Sequence, residues 1–319
     1  MTDSELYIDC FLSDQIPVSE WIGILRERPD VKVAFEERMK KKYEKIINDP
    51  IMIFGAPRSG TSWLGQIFNS HPDVKFCYQP LFSYEFKSTL SLDSSEGEID
   101  CFFKKMLVTD NDFILQKDQK ARGVHPIFKK NKNPSRLAIK HVRYHYLIEH
   151  FLKIYKNVKI IGIIRHPCGV INSWLKTPRE FKPSWNMDEW RSGAIKNQDK
   201  KEEYNGFEKW KEVSRLFIRL EEEYPNNFKI FRYEDLTLNK EEVARKMFKF
   251  VNLDISNNTI EFLAESGEKE IEDPDTAYRI PDVSCRWRDE LDERIIDEIY
   301  DDLRGTDLDV FLAFERAHE

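Results

Sequence analysis

The sequence is poor in the features that mark several large protein classes. Its 319 residues hold five cysteines, Cys10, Cys77, Cys101, Cys168 and Cys285, an odd number, widely scattered and without a C-x-x-C pair. That pattern argues against a disulfide framework or a cysteine zinc site and favours a reducing compartment. No apolar run approaches the roughly 18 residues that span a bilayer. The opening MTDSELYIDCFLSD lacks the basic start and apolar stretch of a signal peptide. Both absences predict a cytoplasmic protein without a membrane span. Positive charge is not in excess either: 50 Lys and Arg against 57 Asp and Glu give a net charge of −7. So acidic a chain is a poor general nucleic-acid coat, yet it can hold a local basic pocket for a small anion. Internal repeats and low-complexity tracts are missing.

What is present reads as a folded α/β chain. The 22 Phe and 7 Trp rule out general disorder. Residues 1–50 form a helical N-terminal leader, with a short helix opened by Pro17 and a second over 33–47 that ends at Asp49-Pro50. The IMIF run at 51–54 is continuously apolar and ends in Gly55, as a buried parallel strand does. Trp63, Leu64, Ile67 and Phe68 have helical spacing. Further strands are predicted at 137–142, 158–164 and 228–233, and further helices at 146–155, 169–175, 207–224 and 241–251. Segments 84–135 and 176–206 show no clear period and read as helical or irregular insertions on the substrate side. The predicted fold is α/β: a three-layer, P-loop-like domain over 51–319 with a central parallel sheet.

The loop GAPRSGTS after the first strand carries most of the chemistry. Glycines at 55 and 60 let the backbone curl, so that successive N–H groups and a helix N-terminus can face one anion. A Walker A loop needs Lys after its second glycine; here Thr61 stands there, and the cation sits earlier, at Arg58. The strand at 158–164 leads into Arg165, where a Walker B loop would offer Asp for Mg²⁺. A metal-dependent NTPase or kinase therefore fits poorly, and no metal is expected. Arg165, at the carboxyl end of its strand, is placed to share a crevice with the first loop, and Ser173 follows on the next helix.

GAPRSGTSWL followed by IIGIIRHPCGVINSWL resembles the two cofactor signatures of sulfotransferases that use 3′-phosphoadenosine 5′-phosphosulfate (PAPS). RYEDL at 232–236 and SCRWR at 284–288 agree with it in order and spacing. The style is closer to bacterial and carbohydrate-type members than to animal cytosolic ones. The resemblance implies that Arg58, Ser59, Gly60, Thr61 and Ser62 bind the 5′-phosphosulfate, with Arg58 near the bridging oxygen. It implies Trp63 against the adenine, Arg165 and Ser173 on the 3′-phosphate, and Tyr233 lining the nucleotide site. Arg286, Trp287 and Arg288 would close over the nucleotide, although core packing is an equal reading for Trp287. The product would be adenosine 3′,5′-bisphosphate (PAP).

The base that takes the acceptor's proton is less legible. Cytosolic members place His after Lys-Thr/Ser on a strand; here Lys140-His141 puts the His one position early, which reverses its face. Carbohydrate-type members use a Glu near an E-P motif, and Gln79-Pro80 stands there. His141 is the first candidate, Glu85 the second and His125 the third, with His145 and His150 assigned to an ordinary helix. Tyr78, Phe82, Tyr84 and the 176–206 segment are candidates for an aromatic-walled mouth. The expected partner is a small soluble acceptor, such as a metabolite, alkaloid, sugar or lipid, bearing a hydroxyl or amine. A homodimer stays open, as does a non-catalytic protein that only binds PAP or PAPS.

Overall fold

Alternation along the strands decides the layers. In β1 (Ile51–Phe54), Met52 and Phe54 enter one hydrophobic cluster while Ile51 and Ile53 enter another. The remaining strands are β2 (Val74–Tyr78), β3 (Arg136–His141), β4 (Lys159–Ile164) and β5 (Phe228–Arg232). The pattern repeats: Leu137 and Ile139, then Ile160 and Ile164, share the side of Met52, whereas Ala138, Ile161 and Ile163 share the side of Ile51. A sheet apolar on both faces must be covered on both, which is why these strands read as unbroken hydrophobic runs. Among the described residues the sheet has five strands in the order β2-β3-β1-β4-β5, all pairs parallel. In this computed structural model the described residues are 3–12, 16–43, 49–132, 134–268, 278 and 285–313. Ser284 and the expected end of the second leader helix, 44–47, lie outside them.

The helices in chain order are α1 (Asp3–Leu12), α2 (Val18–Glu27), α3 (Pro29–Tyr43), α4 (Thr61–Ser70), α5 (Glu96–Val108) and α6 (Lys117–Ala121). They continue with α7 (Ile148–Ile154), α8 (Pro167–Leu175), α9 (Glu189–Ser192), α10 (Ala194–Asn197) and α11 (Phe207–Glu223). The last are α12 (Tyr233–Leu238), α13 (Lys240–Phe250), α14 (Asn257–Ser266), α15 (Trp287–Glu290) and α16 (Glu293–Leu303). One face of the sheet receives Leu64 and Ile67 of α4, Met247 of α13 and Phe262 of α14. The other receives Phe103 of α5, Phe151 of α7, Ile171 of α8, Phe217 of α11 and Ile299 of α16. Trp21 and Phe11 of the leader stack at 4.6 Å and belong to this second cluster too.

This arrangement sets the site. β1 and β4 are neighbours, yet the helices that follow them, α4 and α8, cover opposite faces. Chain departures in opposite directions leave a crevice at the carboxyl ends of the two strands, where α/β sheets bind ligands. The loop carrying Arg58 and the segment carrying Arg165 both begin there. The edge strand β2 was not expected from the sequence. Its buried positions Val74, Phe76 and Cys77 are interrupted by Lys75 and bounded by Tyr78 over only five residues, too short a pattern to stand out.

Candidate active site

A cavity of about 420 Å³ opens at that crevice. Its floor is the loop after β1, whose shape rests on two left-handed residues, Arg58 at φ 71° and Gly60 at φ 87°. Gly60 is required twice over. A β-carbon there would lie 2.4 Å from Cδ2 of Tyr233, whose buried ring closes the loop from below. Gly60 is also the N-cap of α4 and supplies no side-chain hydrogen bond to the first turn. The first residues of a ten-residue helix therefore line the cavity without a side-chain cap, and an uncapped helix N-terminus is the physical basis of an anion site.

The second wall comes from β4 and α8. Arg165 Nη1 donates to the Arg58 carbonyl at 3.1 Å, and its guanidinium lies 4.7 Å from the Tyr233 ring centre. Gly169 leaves the room this side chain occupies, since a β-carbon there would meet Arg165 Nε at 2.9 Å. Arg58 Nε donates to Ser173 Oγ at 3.2 Å, and Arg58 Nη1 is 3.6 Å from Glu180 Oε1. Lys140, Arg143, Lys176, Lys196 and Arg286 add further cations to the lining. The result is a strongly positive cavity inside a chain of net charge −7.

Residues 50–257 match the family model described as the sulfotransferase family. The chain belongs to that family. Its reaction class is therefore sulfuryl transfer, the class expected from the two signatures. No curated protein matches the sequence. Among solved structures, retinol dehydratase in complex with androsterone and inactive cofactor PAP is similar, at 15% identity, covering 83% of this chain and 84% of that one, TM-score 0.50. Mouse sulfotransferase SULT7A1 complexed with PAP is 18% identical over 84% of this chain and 89% of that one, TM-score 0.49. The sulfotransferase domain of the Synechococcus PCC 7002 olefin synthase is 18% identical over 76% and 88%, TM-score 0.45. At these identities the likeness to retinol dehydratase concerns the fold.

Nine of the expected nucleotide residues line this sulfotransferase cavity: Arg58, Gly60, Thr61, Ser62, Trp63, Arg165, Ser173, Tyr233 and Arg286. Trp63 borders it while almost fully buried, with its indole N–H on Ser266 Oγ at 3.2 Å. Three do not reach the lining. The Ser59 hydroxyl is buried behind the loop with no hydrogen-bond partner among the described residues. Trp287 stacks on His166 at 4.4 Å and is buried, so the core reading describes its place, and Arg288 lies over the Trp287 ring.

The expected bases are not brought to the cavity. Lys140 faces it, so His141, next along β3, points to the opposite side of the sheet, stacks on Phe54 at 5.3 Å and is fully buried. Burial, then Lys140 and His145, push the His141 pKa down to about 3. Glu85 accepts from Asn111 Nδ2 at 2.9 Å, away from the lining. His125 is buried beside Gln66, His145 against Tyr204, and His150 bonds the Ser94 carbonyl. Gln79 does line the cavity, where its Oε1 accepts from Arg143 Nη1 at 3.1 Å.

Several lining residues were not singled out in the sequence, although the 176–206 segment that holds some of them was placed on the substrate side. Asn172, Lys176, Thr177 and Glu180 surround Ser173 at successive turns of α8 and the turn after it. Helical spacing from Ser173 was the available signal. Phe113 was invisible, because it comes from the aperiodic 84–135 insertion and meets Tyr78 and Phe82 only in the fold. Tyr84, expected in the mouth, is fully exposed and outside the lining.

Proposed function

We propose that this sulfotransferase transfers the sulfuryl group of PAPS to a hydroxyl or amine of a small acceptor, without a metal. The observation that carries this reading is the junction of the uncapped α4 N-terminus with Arg58 and Arg165 on one cavity. The residues suit a nucleotide with phosphates at both ends of its ribose. Gly60, Thr61, Ser62 and Arg58 would hold the 5′ side, and Arg165 with Ser173 the 3′-phosphate. Tyr233 and Trp63, edge to face at 6.2 Å, border the same space. When bound, the nucleotide supplies an activated sulfuryl group and a phosphate leaving group.

The chain's part is electrostatic. Guanidinium groups and helix N–H groups are fixed before reaction, so charge growing on the departing phosphate meets donors that need no reorganisation. Removal of one such donor typically costs about 3 kcal/mol of barrier. An NTPase reading lacks support at the positions that matter, since Thr61 occupies the Walker lysine position and Arg165 the Walker B position.

The acceptor is proposed to lie against Tyr78, Phe82 and Phe113. Tyr78 and Phe113 meet edge to face at 5.5 Å, Phe82 and Phe113 lie 6.0 Å apart, and the Arg143 guanidinium covers Phe82 at 3.9 Å. Phe82 and Phe113 remain substantially exposed, which suits the apolar body of a small molecule.

The test is thermal unfolding with PAP in the presence of a chelator. A hundredfold excess over the dissociation constant should add about 2.7 kcal/mol of stability. Stabilisation by ATP with Mg²⁺ and none by PAP would overturn the reading. Tight PAP binding without release of PAP from PAPS, for any acceptor, would instead point to a regulatory binder.

A further inference from the structure

The cavity is rich in cations and has few groups able to take a proton. Its lining contains no histidine among the described residues and two carboxylates, Glu180 and Glu290. Glu290 is tied down through one oxygen: its Oε2 accepts from Asn172 Nδ2 at 2.7 Å and pairs with Lys176 Nζ at 2.9 Å. Burial alone would raise its carboxyl, yet Lys176 and Asn172 hold it below the ordinary range. A carboxylate held so firmly as an anion is a weak base.

Glu180 is placed differently. It lies just beyond α8 in a turn closed by its own N–H on the Thr177 carbonyl at 2.8 Å. Its carboxylate is partly open to the cavity, and Oε1 stands 3.6 Å from Arg58 Nη1, an ion pair too long for a hydrogen bond. A negative group beside the principal guanidinium of an anion site opposes nucleotide binding. A proton-transfer role accounts for its presence there.

We infer that Glu180 is the general base of the reaction. The inference rests on the reading that Arg58 faces the phosphosulfate. As the acceptor oxygen bonds to sulfur, its proton passes to the Glu180 carboxylate. The bond from sulfur to the bridging oxygen breaks, and its electron pair leaves on the 5′-phosphate of PAP, beside Arg58. Solvent then removes the proton from Glu180. Arg58 thus lies between the group that receives the proton and the phosphate that receives the electron pair.

The experiment compares wild type, Glu180→Gln and Glu180→Asp as full chains. PAP affinity is measured calorimetrically. Transfer from radiolabelled PAPS is measured to a panel of phenols, primary alcohols and amines, with transfer to water read in the same assay. Glu180→Gln should bind PAP about tenfold more tightly, because a like charge is gone. Its turnover should fall at least ~100-fold, with the acidic limb of the pH profile lost and partly restored in Glu180→Asp. Turnover at the wild-type level in Glu180→Gln would overturn the inference. So would PAP affinity falling together with turnover, since Glu180 would then only position Arg58. Wild type that binds PAP but transfers to neither the panel nor water would overturn it as well. Failure of wild type to bind PAP would instead bring down the nucleotide reading beneath it.

Discussion

Arg58 Nε donates to Ser173 Oγ at 3.2 Å and so ties the loop after β1 to the helix after β4. The two residues are 115 positions apart. The family resemblance implies that they serve opposite ends of one nucleotide, and in the fold they touch. Arg165 reinforces the tie from the other side, through the Arg58 carbonyl. The loop after β1 and the start of α8 therefore form one connected structure, and a change in either should be felt in both.

Arg58→Ala is expected to lower turnover by roughly a hundredfold to a thousandfold, the range for loss of one preorganised donor. Arg165→Ala should act chiefly on nucleotide affinity, and should also loosen the loop that its guanidinium holds. Calorimetry with PAP and steady-state transfer rates separate the two effects. Full activity in both variants would remove the site assignment.

Gly60→Ala should abolish PAP binding. Its φ of 87° is a conformation that costs an alanine about 1–2 kcal/mol, and the new β-carbon would press into the Tyr233 ring. Because Tyr233 is buried, the loop rather than the ring has to move. The check is PAP affinity alongside thermal unfolding. A folded variant with unchanged affinity would contradict the proposed role of the loop.

The leader is expected to be needed for stability. Trp21 is fully buried, stacked on Phe11 and edge-on to Phe35 at 5.1 Å, in the same cluster as Ile99 and Met106 of α5. Trp21→Ala should cost about 3–5 kcal/mol. A chain beginning at residue 49 should unfold at lower temperature than the full chain, and equal midpoints would show the leader to be dispensable.

Acid should destabilise the protein below about pH 6.5. His141, His145 and His166 are buried, and burial above all pushes each pKa down to about 3. The unfolded chain binds these protons near pH 6.5, so it is favoured as pH falls. The stability they protect is complete above that pH and is lost progressively between about 6.5 and 3. Three such groups give a slope of up to about 4 kcal/mol per pH unit. Burial raises the Glu234 carboxyl, which works in the opposite sense and reduces that slope. Urea unfolding at a series of pH values reads the slope, and His141→Phe should make it shallower.

Local signals in the sequence were sufficient for the central strands, the glycine-spaced loop after β1 and the helix that follows it. Those features depend on contiguous residues: IMIF needs no partner to read as a buried strand, and a glycine-spaced turn before TSWL needs none to read as an anion loop. Alternation on β3 was legible for the same reason. A side-chain period of two puts His141 on the face opposite Lys140 whatever the sheet does around it. The sequence could not indicate that the opposite face is a buried hydrophobic layer, where His141 is cut off from the cavity.

Which distant segments meet was settled by tertiary structure alone. Phe113 reaches Tyr78 at the cavity from an aperiodic insertion, Glu180 stands beside Arg58 across 122 residues of sequence, and Trp287 turns into the core against His166. These contacts follow from the strand order and from α4 and α8 leaving on opposite faces. Periodicity and motifs describe what each segment is. The relative placement of segments comes from burying both faces of one sheet, a collective condition that no single stretch of sequence encodes.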